Sequence, residues 1–173
     1  LWAVLVGVPL GCLAAYNRGT ATDSTLRVVC TVGISMPSFV VASLLLIVFC
    51  GGVVGWFPSI FDGSPRSYVL PCFSLGFYPM CYIARQSRAA MLDAINQEYI
   101  KTARAKGLPE WRVNLVHGFR VALTPVVVLI GFRLPTLIGG SGVIETIFQW
   151  PGIGNAFKTA VTGQNYPLVM MIA

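Results

Sequence analysis

The stretch from Glu98 to Pro125 reads EYIKTARAKGLPEWRVNLVHGFRVALTP and is a polar segment between two hydrophobic ones. It carries five of the twelve lysines and arginines of the chain: Lys101, Arg104, Lys106, Arg112 and Arg120. Basic residues concentrated between apolar runs are typical of a loop at a membrane surface.

The beginning of this stretch has the pattern of an amphipathic helix. Successive residues of a helix are rotated by about 100° around its axis. In a continuous helix, one side would therefore carry Leu92, Ile95, Tyr99 and Ala103. Lys101 would lie on almost the opposite side of the helix, and Arg104 would also lie away from the side that carries these four residues. We expect Tyr99 and Ala103 to face the protein and the two basic residues to be exposed.

A sharp corner is predicted in the middle of the stretch. Gly107 is a natural stop for the first helix, because glycine readily adopts the conformation that ends helices. Pro109 suits the first turn of a second helix, and Glu110 would lie near its positive end. A helix–corner–helix unit displayed at a membrane surface is suited to docking a soluble partner.

The composition is that of an integral membrane protein. Hydrophobic residues make up 55% of the 173-residue chain and charged residues 10%, whereas soluble domains carry about 25% charged residues. The net charge of +6 does not indicate nucleic-acid binding, because the basic residues lie between hydrophobic runs and form neither a tail nor a patterned face. We expect no nucleic-acid partner.

The hydrophobic runs predict five membrane-spanning helices, the first and last of them incomplete. Val28 to Phe49 is the clearest span, because it contains no charged residue over 22 positions and can cross an apolar core about 30 Å thick. The other segments are 1–16, 69–84, 121–138 and the one that begins at Tyr166. We expect an all-α, polytopic helix bundle from a longer protein, since both ends of the sequence fall inside apolar runs.

Two spans contain features that predict polar groups at membrane depth. Pro37 lies between Ser35 and Ser38 and is expected to kink its helix. Carbonyls freed by a proline must be buried in protein or face water, so these three residues are candidates for lining a pathway; a packed, tolerated proline is the alternative. Arg133 either lines the same pathway or extends to the outer interface, with Glu145 as a candidate partner.

The distribution of basic residues predicts the orientation of the chain. Nine lysines and arginines fall on one side of the membrane: Arg18, Arg27 and the seven from Arg85 to Arg120. Arg66 and Lys158 fall on the other side. Because cytoplasmic loops are enriched in these residues, the loop at 85–120 is predicted to be cytoplasmic.

No catalytic or metal-binding set can be assembled from the sequence. The chain has one histidine, His117, and six carboxylates that are not spaced for metal binding or acid–base catalysis. Its five cysteines include no CxxC pair, and the phosphate-binding pattern GxxxxGK[ST] is absent. We expect no enzymatic activity, cofactor or metal site; if the protein uses ATP, another chain must bind it.

Several motifs, in order along the chain, resemble those of bacterial ABC importer permeases. EYIKTARAKGLPEWRV, followed by the pattern HxxRxALxP that ends at Pro125, resembles their cytoplasmic EAA-type loop and is closest to the dipeptide/oligopeptide/nickel group. The other matching motifs are GISMPSF (33–39), GWFPS (55–59), ARQSRAAMLDAINQEYIKTARAKG (84–107), GGSGVIETIFQWPGIGNAF (139–157) and NYPLV (165–169). Two positions depart from the family, which often has Asn at the position of Val121 and an uncharged residue at that of Arg133.

The resemblance implies that residues 1–173 are part of a type I ABC importer transmembrane domain in the bacterial inner membrane, with a cytoplasmic coupling loop at about 85–120. It also implies partners: two ATP-binding subunits, a second homologous permease subunit, an extracytoplasmic substrate-binding protein and membrane lipid. The residues implied in docking an ATP-binding subunit are Glu98, Tyr99, Lys101, Thr102, Ala103, Arg104, Ala105, Lys106, Gly107 and Leu108. Conformational changes driven by ATP hydrolysis on the separate subunits would be transmitted to the membrane spans as a rigid-body rocking motion.

The resemblance leaves more than one function open. Import of small peptides is the function that it favours, and import of nickel or of glutathione is the alternative within the same group. An intramembrane enzyme would need a polar catalytic pair at membrane depth, which the sequence does not contain. A membrane scaffold or receptor with a basic docking loop is a further alternative, and ATP-dependent transport would distinguish a permease from it.

Overall fold

Helices account for the architecture of the chain. The computed structural model describes residues 1–50 and 55–172, and it describes their side chains except those of 133–141. Within this part no β-strand occurs, in agreement with the predicted all-α class. The helices are α1 (Trp2–Tyr16), α2 (Ala21–Ser35), α3 (Ser38–Phe49), α4 (Val69–Ile95), α5 (Glu98–Ala105), α6 (Glu110–Arg112), α7 (Phe119–Ile147), α8 (Ile153–Thr162) and α9 (Tyr166–Ile172).

The predicted apolar segments are helical over most of their length. They correspond to α1, to α2 with α3, to the first part of α4, to α7 and to α9. A π-helical turn, Val113–Gly118, joins α6 to α7 without a break. By length and composition, Glu110–Phe132 can cross a membrane, because it is 23 residues long and contains an 18-residue window of mean hydropathy 1.9. Taken together, α2 and α3 meet the same test.

The kink predicted at Pro37 is a complete break. The first helix ends at Ser35 and the next begins at Ser38, with Pro37 extended at φ −60° and ψ 144°. Its carbonyl accepts hydrogen bonds from the backbone N–H groups of Val40 (3.0 Å) and Val41 (3.3 Å). The proline therefore starts α3, as expected of a residue whose ring fixes φ and removes a donor.

The apolar segment predicted at 121–138 is part of a longer helix, because α7 continues through Gly139 and Gly140 to Ile147. A glycine inside a helix costs only about 1 kcal/mol relative to alanine. Beyond the glycines, Ile144 and Phe148 are 1% and 3% exposed in a core that also contains Ala42 and Leu70. Burial of the helical turn that contains Ile144 is sufficient to extend the helix across Gly139 and Gly140.

The chain forms two compact units. The first comprises Leu1–Ser35 and Tyr78–Arg133, and the second comprises Met36–Phe77 and Leu134–Ala173. The core of the second unit is the cluster around Ile144 and Phe148, next to an aromatic group in which the ring of Trp150 lies 4.7 Å from that of Phe61 and 4.5 Å from that of Tyr68.

The first unit is held together by close packing of α1 on α4. A Cβ built on Gly7 would lie 2.8 Å from the carbonyl oxygen of Met80, and one built on Gly11 would overlap the carbonyl oxygen of Ala84. The two glycines have the GxxxG spacing that lets helices approach closely in membranes. Val8, Ile83 and Val126 form the apolar cluster beside this contact.

Candidate functional site

The corner predicted at Gly107 is present. The helix α5 begins after Gln97, which is extended at φ −74° and ψ 153°, and ends at Ala105. Gly107 then adopts φ +75°, a left-handed conformation that glycine reaches without steric cost, and its N–H donates to the carbonyl of Arg104 at 2.9 Å. A Cβ at Gly107 would meet open space, so the requirement for glycine is conformational.

The second half of the corner begins one residue later than predicted. Pro109 precedes α6 as its N-cap residue, at φ −66° and ψ 143°, and Glu110 is the first helical residue. The carbonyl of Pro109 accepts hydrogen bonds from the N–H groups of Arg112 (2.9 Å) and Val113 (3.1 Å). The Glu110 carboxylate thus lies at the positive end of the helix, where negative charge is stabilising.

A small apolar cluster ties α5 to the helix that follows the corner. Ile100 and Val113 are 0% exposed, Ala103 is 8% exposed, and Leu108 packs against them. The burial predicted for Ala103 is confirmed. Sequence reasoning missed Ile100 and Val113, although the three-residue spacing of Ile100 and Ala103 is a helical-face signal.

The prediction that Tyr99 faces the protein is wrong. Its side chain is 40% exposed, and the neighbouring Ile100 takes the buried position. The prediction assumed one continuous helix from Leu92 through Ala103, but α4 ends at Ile95 and α5 begins at Glu98. The break resets the rotational phase, so residues after it no longer share a face with those before it.

Ion pairs order the exposed face of the corner. Arg104 spans it with a bidentate bond to Glu110, Nε to Oε1 at 2.8 Å and an Nη to Oε2 at 3.3 Å. Lys101 pairs with Glu98 at 2.7 Å. Such exposed pairs contribute only about 0.2–1 kcal/mol each, but the first orients the two arms of the corner. Lys106 and Arg112 form no ion pair within the described residues, and both are exposed.

The ten predicted docking residues occupy this one corner. Eight are exposed: Glu98, Tyr99, Lys101, Thr102, Arg104, Ala105, Lys106 and Gly107. Leu108 is half-buried and Ala103 is buried. The corner therefore presents a basic, hydrogen-bonding surface over an apolar base that fixes its shape.

The predicted pathway residues lie at the break between α2 and α3. Ser35 and Pro37 are exposed, Ser38 is half-buried, and the Ser35 hydroxyl donates to the carbonyl of Thr31 at 3.0 Å. The side chain of Arg133 lies outside the described residues. A pathway-lining role for these four residues remains a prediction.

Glu145 is a buried carboxylate in the second unit. It is 9% exposed, and its Oε2 accepts a hydrogen bond from the Asn155 N–H at 2.9 Å, in the first turn of α8. Gly152 and Gly154 allow this approach, because a Cβ at either position would crowd the carboxylate. The carboxylate thus fixes the turn between α7 and α8.

A second buried carboxylate, Asp23, was not singled out from the sequence. It is 1% exposed in the first turn of α2, within the polar segment before Val28, and Arg88 of α4 donates to it from Nε at 2.6 Å and an Nη at 2.8 Å. These hydrogen bonds lower the pKa of Asp23 to about 2 against an ordinary 3.8, assisted by the Gly19 N–H at 3.2 Å. The same contact raises the pKa of Arg88.

The described residues contain no group of three or more His, Cys, Asp or Glu side chains placed to hold a metal ion.

Comparison with known proteins identifies the family. Residues 7–173 match the family model described as binding-protein-dependent transport system inner membrane component. The chain belongs to this family. It is therefore part of a multi-pass protein of the bacterial inner membrane.

Two relatives show the extent of the match. The glutathione transport system permease protein GsiC of Escherichia coli (strain K12) is 38% identical over 169 residues, which cover 98% of this chain and 55% of that protein. The protein of the same name from Salmonella typhi is 37% identical over the same lengths. The chain thus spans about half the length of the curated relatives it matches.

Proposed function

We propose that this chain belongs to a permease subunit of an ATP-driven importer and that residues 98–108 dock on a separate ATP-binding subunit. The observation that carries the proposal is the corner itself, an exposed basic helix that ends at Ala105 and is followed by a sharp turn at Gly107. The remaining partners would be a second homologous permease subunit, a second ATP-binding subunit and an extracytoplasmic substrate-binding protein. The loop at 85–120 would then be cytoplasmic.

The packing of the corner supports a mechanism for coupling. Ile100 packs on Val113 and Arg104 binds Glu110, so α5 is tied on two sides to the helix that runs through Phe132. A displacement of the ATP-binding subunit would move α5 and that helix together as one body. The conformational change driven by ATP hydrolysis would thereby be transmitted to the membrane spans, and this chain would need no catalytic group.

The substrate that we propose is a small peptide, and glutathione is itself a tripeptide. The names of the two relatives support a peptide of this size. Nickel remains the alternative within the group, because capture by a separate binding protein does not require metal ligands in the permease.

The docking proposal is tested in the full-length complex reconstituted into proteoliposomes. We expect Arg104→Glu, which breaks the bond to Glu110 and reverses the surface charge, and Gly107→Asp, which places a side chain at φ +75°, each to lower ATP-dependent uptake at least tenfold. Both variants should also lose co-purification of the ATP-binding subunit.

Arg66→Glu is the matched control, because it makes the same charge change at an exposed residue on the predicted outer side. It is expected to retain uptake and co-purification. Normal uptake by both corner variants would refute the docking role. A scaffold or receptor would show no ATP-dependent uptake in any of the proteins.

A further inference from the structure

A cavity in the first unit lies between α1, α2 and α4. Its volume is about 240 Å³. Three of the residues that line it are arginines: Arg27 of α2, and Arg85 and Arg88 of α4. Most of the other lining residues are apolar, among them Leu10 of α1 and Leu26 of α2. The cavity therefore combines cationic groups from two helices with an apolar wall.

The positive charge of these arginines is only partly neutralised within the described residues. Asp23 accepts hydrogen bonds from Arg88, from Nε at 2.6 Å and from an Nη at 2.8 Å. The Nε of Arg27 lies 3.8 Å from Asp23 Oδ1, a much weaker contact. Arg85 is exposed and forms no ion pair in the described part of the chain. Three guanidinium groups thus share one carboxylate, and a cleft with apolar walls and a single sign of charge concentrates the field that attracts an anion.

The sequence places the cavity at the depth of lipid headgroups. Arg27 directly precedes the predicted span at 28–49, and Arg85 directly follows the apolar segment at 69–84. Both arginines belong to the side that the distribution of basic residues predicts to be cytoplasmic. Basic pockets between membrane helices on that side are suited to the headgroups of anionic lipids.

The size and the donors of the cavity favour a phosphate headgroup. Its volume is below the range of about 300–1,000 Å³ that is typical of sites for whole small molecules, so it can hold a headgroup while the acyl chains stay in the membrane. A guanidinium presents its N–H groups in a fixed fork that matches phosphate oxygens. Arg88 keeps donors for such a ligand, because Asp23 binds only its Nε and one Nη.

We propose that this cavity binds the phosphate of an anionic phospholipid from the cytoplasmic leaflet. Arg27 contacts the phosphate from α2, and Arg85 contacts it from α4. Asp23 holds Arg88 in place beside them, and the first carbons of an acyl chain lie against the apolar wall. The site shares no residue with the docking corner at 98–108 and does not depend on which substrate is transported.

The experiment uses the full-length complex in vesicles of zwitterionic phosphatidylcholine that contain a small fraction of photoreactive phosphatidylglycerol. The photoreactive group is next to the glycerol, and mass spectrometry after digestion with a protease that does not cleave at arginine locates the attachment sites. We expect attachment around Arg27 and Arg85, several-fold above that of photoreactive phosphatidylcholine. Equal attachment of the two lipids would overturn the proposal. An absence of attachment there would also overturn it, because a protein segment would then cover the cavity.

Single substitutions test the two arginines. Arg27→Gln and Arg85→Gln should each lower the attachment of phosphatidylglycerol about fivefold, the effect expected of one arginine at an anionic membrane surface. Arg85→Lys keeps the charge and should retain most of the attachment. Arg66→Gln, the matched control at an exposed residue on the predicted outer side, should leave it unaltered. Unaltered attachment in both cavity variants with glutamine would refute the proposal.

A competition experiment separates a lipid from a free anion as the occupant. Unlabelled phosphatidylglycerol should reduce the attachment of the photoreactive lipid to the unaltered complex. The same amount of glycerol phosphate, a soluble compound with a phosphate group but no acyl chain, should not reduce it. Equal competition by glycerol phosphate would show that the cavity takes free phosphate compounds, and the lipid proposal would then be wrong.

Discussion

Asp23 is held in the first turn of α2 by Arg88, by the Gly19 N–H and, at 3.8 Å, by Arg27. These contacts favour the ionised carboxylate, so its pKa in the folded protein, about 2, lies below the ordinary 3.8. A group whose pKa is lowered by folding contributes stability above its unfolded pKa. This contribution is lost as the pH falls from about 4 to about 2, because the unfolded chain takes up the proton first.

We therefore expect Asp23→Asn to lower the thermal unfolding temperature of the detergent-solubilised complex at neutral pH. The difference from the unaltered complex should shrink as the pH falls from about 4 to about 2, since the lost stabilisation is that of the ionised carboxylate. Unfolding temperatures measured across this range test the expectation. Asp93→Asn, a control at an exposed carboxylate, should have the same unfolding temperature as the unaltered complex. If the effect of Asp23→Asn does not vary with pH, the stabilisation does not come from the ionised carboxylate of Asp23.

The Asp23–Arg88 pair also marks a limit of inference from sequence at the scale of single residues. Both residues lie in segments whose basic content predicts a cytoplasmic location, but 65 positions separate them along the chain. Nothing in the local pattern around either one indicates that they meet. The pairing follows from the packing of α1 and α4, which brings the start of α2 beside Arg88.

At the scale of elements, the helices and their ends were partly predictable. Gly107 and Pro109 act through local backbone geometry, so the corner between them could be predicted from two residues. The orientation of Tyr99 could not be predicted, because it depends on a helix break before Glu98, and no glycine or proline in the sequence indicates that break. The extension of α7 past Gly139 likewise depends on burial of Ile144, a contact with residues distant in the sequence.

The contact of α1 with α4 gives a prediction at the same scale. Gly11→Ala would place a methyl group against the carbonyl oxygen of Ala84 and 2.7 Å from the Cβ of Ser87. Because backbone on α4 cannot move aside as a flexible side chain can, the helices must separate. We expect a loss of about 1–3 kcal/mol in unfolding free energy, the usual cost of overpacking, measured by thermal or denaturant unfolding of the solubilised complex.

Gly131→Ala is the matched control, because Gly131 is also helical and a Cβ there would meet nothing within 4 Å. Alanine is the better helix former by about 1 kcal/mol, so this variant should be as stable as the unaltered complex or more stable. Equal stability of the Gly11 and Gly131 variants would show that α1 and α4 are not in the close contact described.

At the scale of the whole molecule, the described residues form two compact units, each with its own buried apolar residues, and many large apolar side chains are exposed. The core of the first unit depends on glycine contacts and that of the second on large side chains such as Ile144 and Phe148. Exposed apolar residues such as Phe132 and Val127 are suited to contact with membrane lipid. Nothing in these cores selects a substrate, so the substrate must be tested by transport.

The transport test uses the full-length complex with its binding protein in proteoliposomes. We expect ATP-dependent accumulation of glutathione or of another small peptide, with excess unlabelled peptide reducing uptake of the labelled one, because the relatives at 37–38% identity are named for glutathione transport. Nickel ions should neither accumulate nor compete. ATP-dependent nickel uptake without peptide uptake would refute the peptide proposal yet leave the docking proposal intact, since Arg104→Glu should then abolish the uptake of nickel instead.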